Sequence, residues 1–292
     1  MIHEGFGNKK LSVPETVSGE SSIDKEELSE QSQDFSIESD SNQVEQAARF
    51  LGDETVVEIR RIVSELHESI GKMLEPVLEK IENGEFQLLI GDDTSGRIPA
   101  LIVRKIINVA YENTGRPKIP THFIAGTSIH SNKEGLSLKE LELGVAKKEA
   151  EISAYIAELK TESSLNISDA LIVTEFIESG EGLIPVIKAL QGNNITPVIL
   201  TTNINSYKVA RAMETELNVP LVSYGKKSPV PPSLFDKKDL SGVAKHYFDL
   251  HAKPIRLGIS EDERKMILAK MTIARDEADR VADKLVAELL LT

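Results

Sequence analysis

From Asn42 to Glu82 apolar residues return at three- and four-residue steps: Val44, Ala47, Phe50 and Leu51, then Val56, Ile59, Ile62, Val63, Leu66, Ile70, Leu74 and Leu78. That period puts them on one face of a helix, so the spacing predicts helix over this stretch, interrupted or bent at Gly52 and Pro76. Beyond it, short apolar runs alternate with helical patterns. Phe86 to Ile90 reads as a strand, Pro99 to Val109 as a helix, Ile119 to Ile124 as a strand and Gly126 to Leu136 as a loop. Ser137-x-x-Glu140 has the form of a capping box opening a long helix to about Leu159. Then come strand Ala170–Val173, helix Leu183–Leu190, strand Thr196–Thr201, helix Ser206–Leu217 and strand Pro220–Tyr224. Such alternation predicts an α/β fold, a mostly parallel sheet with helices on both faces. Ligands of such sheets gather at the carboxyl ends of the strands, beside the switch in strand order.

The two ends of the chain differ from this middle. Residues 1–42 are rich in Ser, Glu, Asp and Gln and hold no sustained period, the pattern of a disordered acidic tail. Residues 43–225 carry the α/β domain with its N-terminal helical extension, and residues 226–292 are less regular. Lys226 to Pro232 reads as a stiff loop, and Ser260-Glu-Asp-Glu263 as a second capping box. The helix that follows has Ile267, Met271, Ala274, Ala278, Val281 and Leu285 in four-three alternation, a stripe that must bury against the chain's own core, against the 44–82 helix, or along the seam of a homodimer.

Composition narrows the class of function. With 40% hydrophobic and 28% charged residues the chain reads as a globular protein. No basic segment followed by an apolar one opens it, and no apolar run approaches the roughly 18 residues of a membrane span, so no membrane association is expected. The absence of cysteine removes disulfides and thiolate chemistry, and a cytoplasmic location is the expectation. Net charge is −13, but residues 1–45 hold eleven Asp and Glu against three Lys, a net −8 that leaves −5 for the rest. This disfavours nucleic acid, which needs a basic face, yet leaves room for a small anion in a local N–H-rich cleft. His122, His130, His246 and His251 show no metal-ligand spacing.

Two glycine-bearing segments fall at predicted strand ends. In ALIVTEFIESGEG, residues 170–182, the small residues from Ser179 to Gly182 either make a plain strand-to-helix connection or let backbone N–H groups converge on a phosphate. In the second reading Glu175 and Glu178 present carboxylates to the same ligand. The other segment is Leu88-Leu-Ile-Gly-Asp-Asp-Thr-Ser-Gly-Arg97. It lacks the Gly-Lys-Ser/Thr ending of a P-loop, and its Asp92-Asp93-Thr94-Ser95 stretch serves either a ligand or as helix caps ahead of Pro99.

ALIVTEFIESGEG resembles the phosphoribosyl pyrophosphate-binding motif of type I phosphoribosyltransferases: an apolar strand, two acids, two apolar residues, an acid, Ser or Thr, Gly, any residue, then Thr or Ser. Residues 88–101 resemble the family's first strand and pyrophosphate loop, and the order of elements agrees over about residues 45–225. The resemblance implies a three-layer type I phosphoribosyltransferase-like fold with helices added at both ends, in a pentosyl-transferring enzyme that moves phosphoribosyl to a nitrogen nucleophile with loss of pyrophosphate. It implies that Ser179, Gly180, Glu181 and Gly182 cradle the 5-phosphate and that Thr174 and Glu175 face the ribose, Glu175 reaching Mg²⁺ through ligand or water. Glu178, with Glu175, is then the candidate catalytic acid or base. Asp93, Thr94, Ser95, Gly96 and Arg97 would form the pyrophosphate loop. The chain departs from the motif at Thr174, where an acid is usual, and at Gly182, where a hydroxyl is usual. A charged hydrogen bond is worth roughly 1.5–3 kcal/mol, so losing two such groups opens an alternative: a catalytically inactive regulatory or scaffolding protein of the same fold that binds a nucleotide or ribose phosphate. The second substrate is not legible; Phe176, Tyr224 and Phe235 are the aromatic candidates for a base.

Overall fold

Local signals divide the N-terminal helical region into pieces. In the computed structural model, which describes residues 40–291 apart from 93, 95, 126–137, 163–165, 236, 245–249 and 256–258, Asp40 accepts the N–H of Asn42 and caps α1, Ser41–Leu51. Gly52 separates it from α2, Asp53–Ser64. Helix α3, Leu66–Leu74, then tightens into a 3₁₀ turn at Glu75–Val77, where Pro76 sits in the first turn and needs no N–H partner, before α4, Leu78–Glu82. Acidic tail residues 1–39 and the Ser137 capping box lie outside the described residues.

The alternating middle follows as β1 (Leu88–Asp92), α5 (Arg97–Asn113), β2 (Thr121–Ile124), α6 (Leu138–Glu162), β3 (Asp169–Ile177), α7 (Ile184–Gly192), β4 (Thr196–Ile204), α8 (Tyr207–Glu216) and β5 (Val222–Lys227). The five strands form one parallel sheet in the order β2-β1-β3-β4-β5, with Gly91 of β1 opposite Val173 of β3. From β1 the chain first steps outward to β2, then returns to lay β3, β4 and β5 on the other side. The sheet's switch point therefore lies between β1 and β3.

Both faces are covered, as a parallel sheet requires. On one face Leu89, Leu171, Val173, Val198 and Leu200 pack under α3 and α5; on the other Leu88, Ile90, Ile172, Ile199 and Val222 share a core with Ile152 and Ile156 of α6 and with α7 and α8. The result is a three-layer α/β arrangement. After β5 come α9 (Lys238–Ser241), the short antiparallel pair β6 (Val243–Ala244) and β7 (Lys253–Pro254), and α10 (Glu261–Leu289). Ser260 and Glu263 complete the expected capping box of α10. Its stripe of Ala274, Ala278, Val281 and Leu285 is buried in the chain's own core, against α1, α2 and α5. Lys105 on α5 holds Asp279 and Asp283 of α10 at 2.7 and 2.6 Å.

The free edge of β2 is closed by a short stretch of backbone. Ala125 N–H donates to the Leu250 carbonyl (2.9 Å), and His251 Nδ1 donates to the Phe123 carbonyl (2.7 Å). Beside this seam Tyr155 stands edge-on to both His122 and His251, its hydroxyl 2.9 Å from His122 Nδ1.

Candidate functional site

The β1–α5 turn is shaped by a close approach. A Cβ on Gly96 would stand 2.6 Å from the carbonyl oxygens of both Asp92 and Val173, so the turn rests directly on the backbone of β3 and admits no side chain there. Thr94 holds a left-handed φ of +88°, uncommon for a β-branched residue and a sign of strain. The N-cap of α5 is Gly96 itself, which has no side chain to offer. Asp92 Oδ2 instead accepts the hydroxyl of Thr174 across the β1–β3 boundary (3.2 Å). Asp93 and Ser95, two of the expected pyrophosphate-loop residues, lie outside the described residues.

Arg97 opens α5 and is buried, with its guanidinium 4.7 Å above the Phe123 ring. It also lies close to Arg275 of α10: burial first, then the charges of Arg97 and Arg104, push the Arg275 guanidinium down to about 10. The Arg97 guanidinium thus lies near Phe123 of β2 and Arg275 of α10, and the backbone of Gly96 lies against β3.

The second turn begins later than the sequence pattern suggests. Strand β3 runs to Ile177 rather than Val173, because its ladder with β4 continues through Thr174 opposite Thr201 and Phe176 opposite Asn203. Between those pairs the Glu175 carbonyl accepts hydroxyl hydrogen bonds from Thr201 (3.3 Å) and Thr202 (2.6 Å). Thr174 and Glu175 are consequently interior residues, 1% and 0% exposed. Glu178, Ser179 and Glu181 are exposed at the turn. Gly180 adopts φ +82°, a conformation glycine takes at no steric cost, and Glu181 N–H turns back to the Ser179 hydroxyl (3.4 Å). Leu183 N–H closes on the Gly180 carbonyl (3.0 Å), a 3₁₀ turn spans Glu181–Leu183, and α7 starts with Pro185 in its first turn.

Both glycine turns therefore stand at the carboxyl ends of adjacent parallel strands on the two sides of the switch point. Gly96 of the first, Ser179 to Gly182 of the second, and exposed Glu178 share that edge; Thr174 and Glu175 lie buried in the strand that leads to it.

Residues not singled out from the sequence also gather here. Thr201, Thr202 and Asn203 are buried polar residues at the end of β4; the run Leu-Thr-Thr-Asn after an apolar strand is the signal that could have marked them. A cleft of about 820 Å³ lies one strand further over, between the α2–α3 junction, the ends of β4 and β5, and α10, with Asn203, Lys226, Arg280 and Lys284 among its lining. None of its lining residues belongs to either glycine turn. The turns, and not this cleft, stand beside the switch point, where ligands of parallel sheets gather.

Among the described residues no three His, Cys, Asp or Glu side chains converge as a metal site, and no helix is long and apolar enough to cross a membrane. No family model, curated protein or solved structure matches the chain.

Proposed function

We propose that this protein is phosphoribosyltransferase-like and binds phosphoribosyl pyrophosphate, or a related ribose phosphate, at the switch-point crevice. The observation that carries this reading is the seating of Gly96 on the Val173 carbonyl, which brings the first glycine turn against the strand that ends in the second. The 5-phosphate lies on Ser179 to Gly182, whose N–H groups and following helix start favour negative charge. The diphosphate lies on the Gly96 side. In the transfer reaction a nitrogen nucleophile bonds to C1 of the ribose, the bond from C1 to the diphosphate oxygen breaks with its electrons leaving on pyrophosphate, and Glu178 takes the proton from the nitrogen. The described side chains do not themselves make a magnesium site. Mg²⁺ belongs to this reading only as an ion carried in on the diphosphate oxygens.

A specific observation favours a second reading, binding without transfer. Thr174 and Glu175, the residues expected at the ribose, are buried, and the Thr174 hydroxyl is engaged by Asp92. The chain would then report a nucleotide or ribose phosphate rather than convert it.

Thermal denaturation with phosphoribosyl pyrophosphate or ribose 5-phosphate, with and without Mg²⁺, tests the binding common to both. A ligand at one hundred times its Kd stabilises by about 2.7 kcal/mol, a readily measured rise in Tm. No rise with any ribose phosphate sinks the proposal. Pyrophosphate release with a panel of nucleobases separates the readings: release establishes transfer, and binding without release establishes the second reading.

A further inference from the structure

The β4–α8 turn is built onto the glycine turn of β3. Asn205 N–H donates to the Ile177 carbonyl (2.9 Å) and its side-chain amide to the Glu178 carbonyl (3.4 Å). One face of α8 closes the same corner, where Met213 Sδ stands 3.0 Å from the position a Cβ on Gly180 would take. Tyr207, the first residue of α8, follows Asn205 by two residues, so its Cα lies no more than about 7.6 Å from that of Asn205. The residue is 57% exposed, at the carboxyl edge of the sheet. Tyr224 of β5 flanks the ring at 5.7 Å and 53°, and Lys227 Nζ stands 4.1 Å over the ring centroid.

An aromatic ring held by a cation and a second ring, in a residue more than half exposed, suits a planar partner better than it suits water. We propose that Tyr207 is a stacking platform for the base of a nucleotide whose phosphate rests on the Ser179–Gly182 turn. The inference rests on the reading of that turn as a phosphate site, and it makes the preferred ligand a nucleoside monophosphate rather than a bare sugar phosphate. Lys227 serves twice, steadying the Tyr207 ring and adding positive charge for an anionic ligand. Stacking tolerates every base, so purine and pyrimidine nucleotides both bind.

Calorimetric titration of the full chain with ribose 5-phosphate, AMP and UMP tests this. AMP and UMP are expected to bind about tenfold more tightly than ribose 5-phosphate, the increment of one stacked base. Tyr207→Ala brings both nucleotides to the affinity of ribose 5-phosphate and leaves ribose 5-phosphate unchanged, Tyr207→Phe keeps the difference, and Gly180→Val abolishes binding of all three. Nucleotides that bind no more tightly than ribose 5-phosphate, or that ignore Tyr207→Ala, overturn the platform while the phosphate turn stands. Failure of all three to bind the unaltered chain overturns platform and phosphate turn together.

Discussion

Gly96 shows how a single absent methyl can position two turns. The atoms a Cβ would strike are the carbonyl oxygens of Asp92 and Val173 and the Asp92 nitrogen, all backbone, so no side chain can swing aside to make room. Gly96→Ala should therefore destabilise by at least the roughly 1–3 kcal/mol typical of overpacking. Gly192→Ala provides the contrast, since nothing lies within 4 Å of its would-be Cβ and the residue ends a helix, where alanine is the better former. Urea midpoints check both: a large drop for the first and none for the second is the expected pair, and equal midpoints contradict the close approach. From the sequence, both glycines of the Gly91 to Gly96 turn look alike as turn residues. Only the placement of β3 shows that Gly96 is required by another strand's backbone. The end of β3 was hidden for a similar reason. Thr174 and Glu175 read as lying past the strand that ends at Val173, but pairing with β4 carries the ladder onward, and Thr201 and Thr202 supply hydroxyls to the Glu175 carbonyl.

At the scale of elements, the local pattern predicted strands and helices well wherever one periodicity ran unbroken. The strand–helix alternation from Leu88 to Lys227, the break at Gly52 and the α10 capping box are all present. Boundaries moved by several residues where polar residues continue a strand, as at β3 and β4. The clasp on β2 left no pattern, because it is made by residues far apart in sequence. Burial, with the charge of His251 second, holds the His122 imidazole below its ordinary value of 6.5. A neutral His122 can accept the Tyr155 hydroxyl at Nδ1. With the folded value depressed, the unfolded chain takes up this proton first as pH falls. The stability is complete above the unfolded value and is lost as pH drops through 6.5 toward the folded value. The urea midpoint should fall between about pH 7.5 and about pH 5.5, and His122→Asn should flatten that fall. An equal slope in the variant would assign the pH dependence to other groups.

For the molecule as a whole, what the sequence could not supply was strand order. Two glycine turns in one chain are a weak signal on their own; with β1 and β3 as neighbours, the same turns flank the switch point and share one edge. Added helices α1, α2 and α10 pack together, and salt bridges from Arg60 of α2 to Asp276 and from Lys105 of α5 to Asp279 tie the C-terminal helix to the body. The two turns are proposed to form one ligand site. Hydrogen-exchange mass spectrometry with and without saturating phosphoribosyl pyrophosphate tests it most directly. Slowed exchange is expected in peptides spanning Gly96–Arg97 and Ser179–Gly182 together. Slowed exchange confined to the cleft lined by Asn203, Lys226 and Arg280, or no change at either turn, would contradict it.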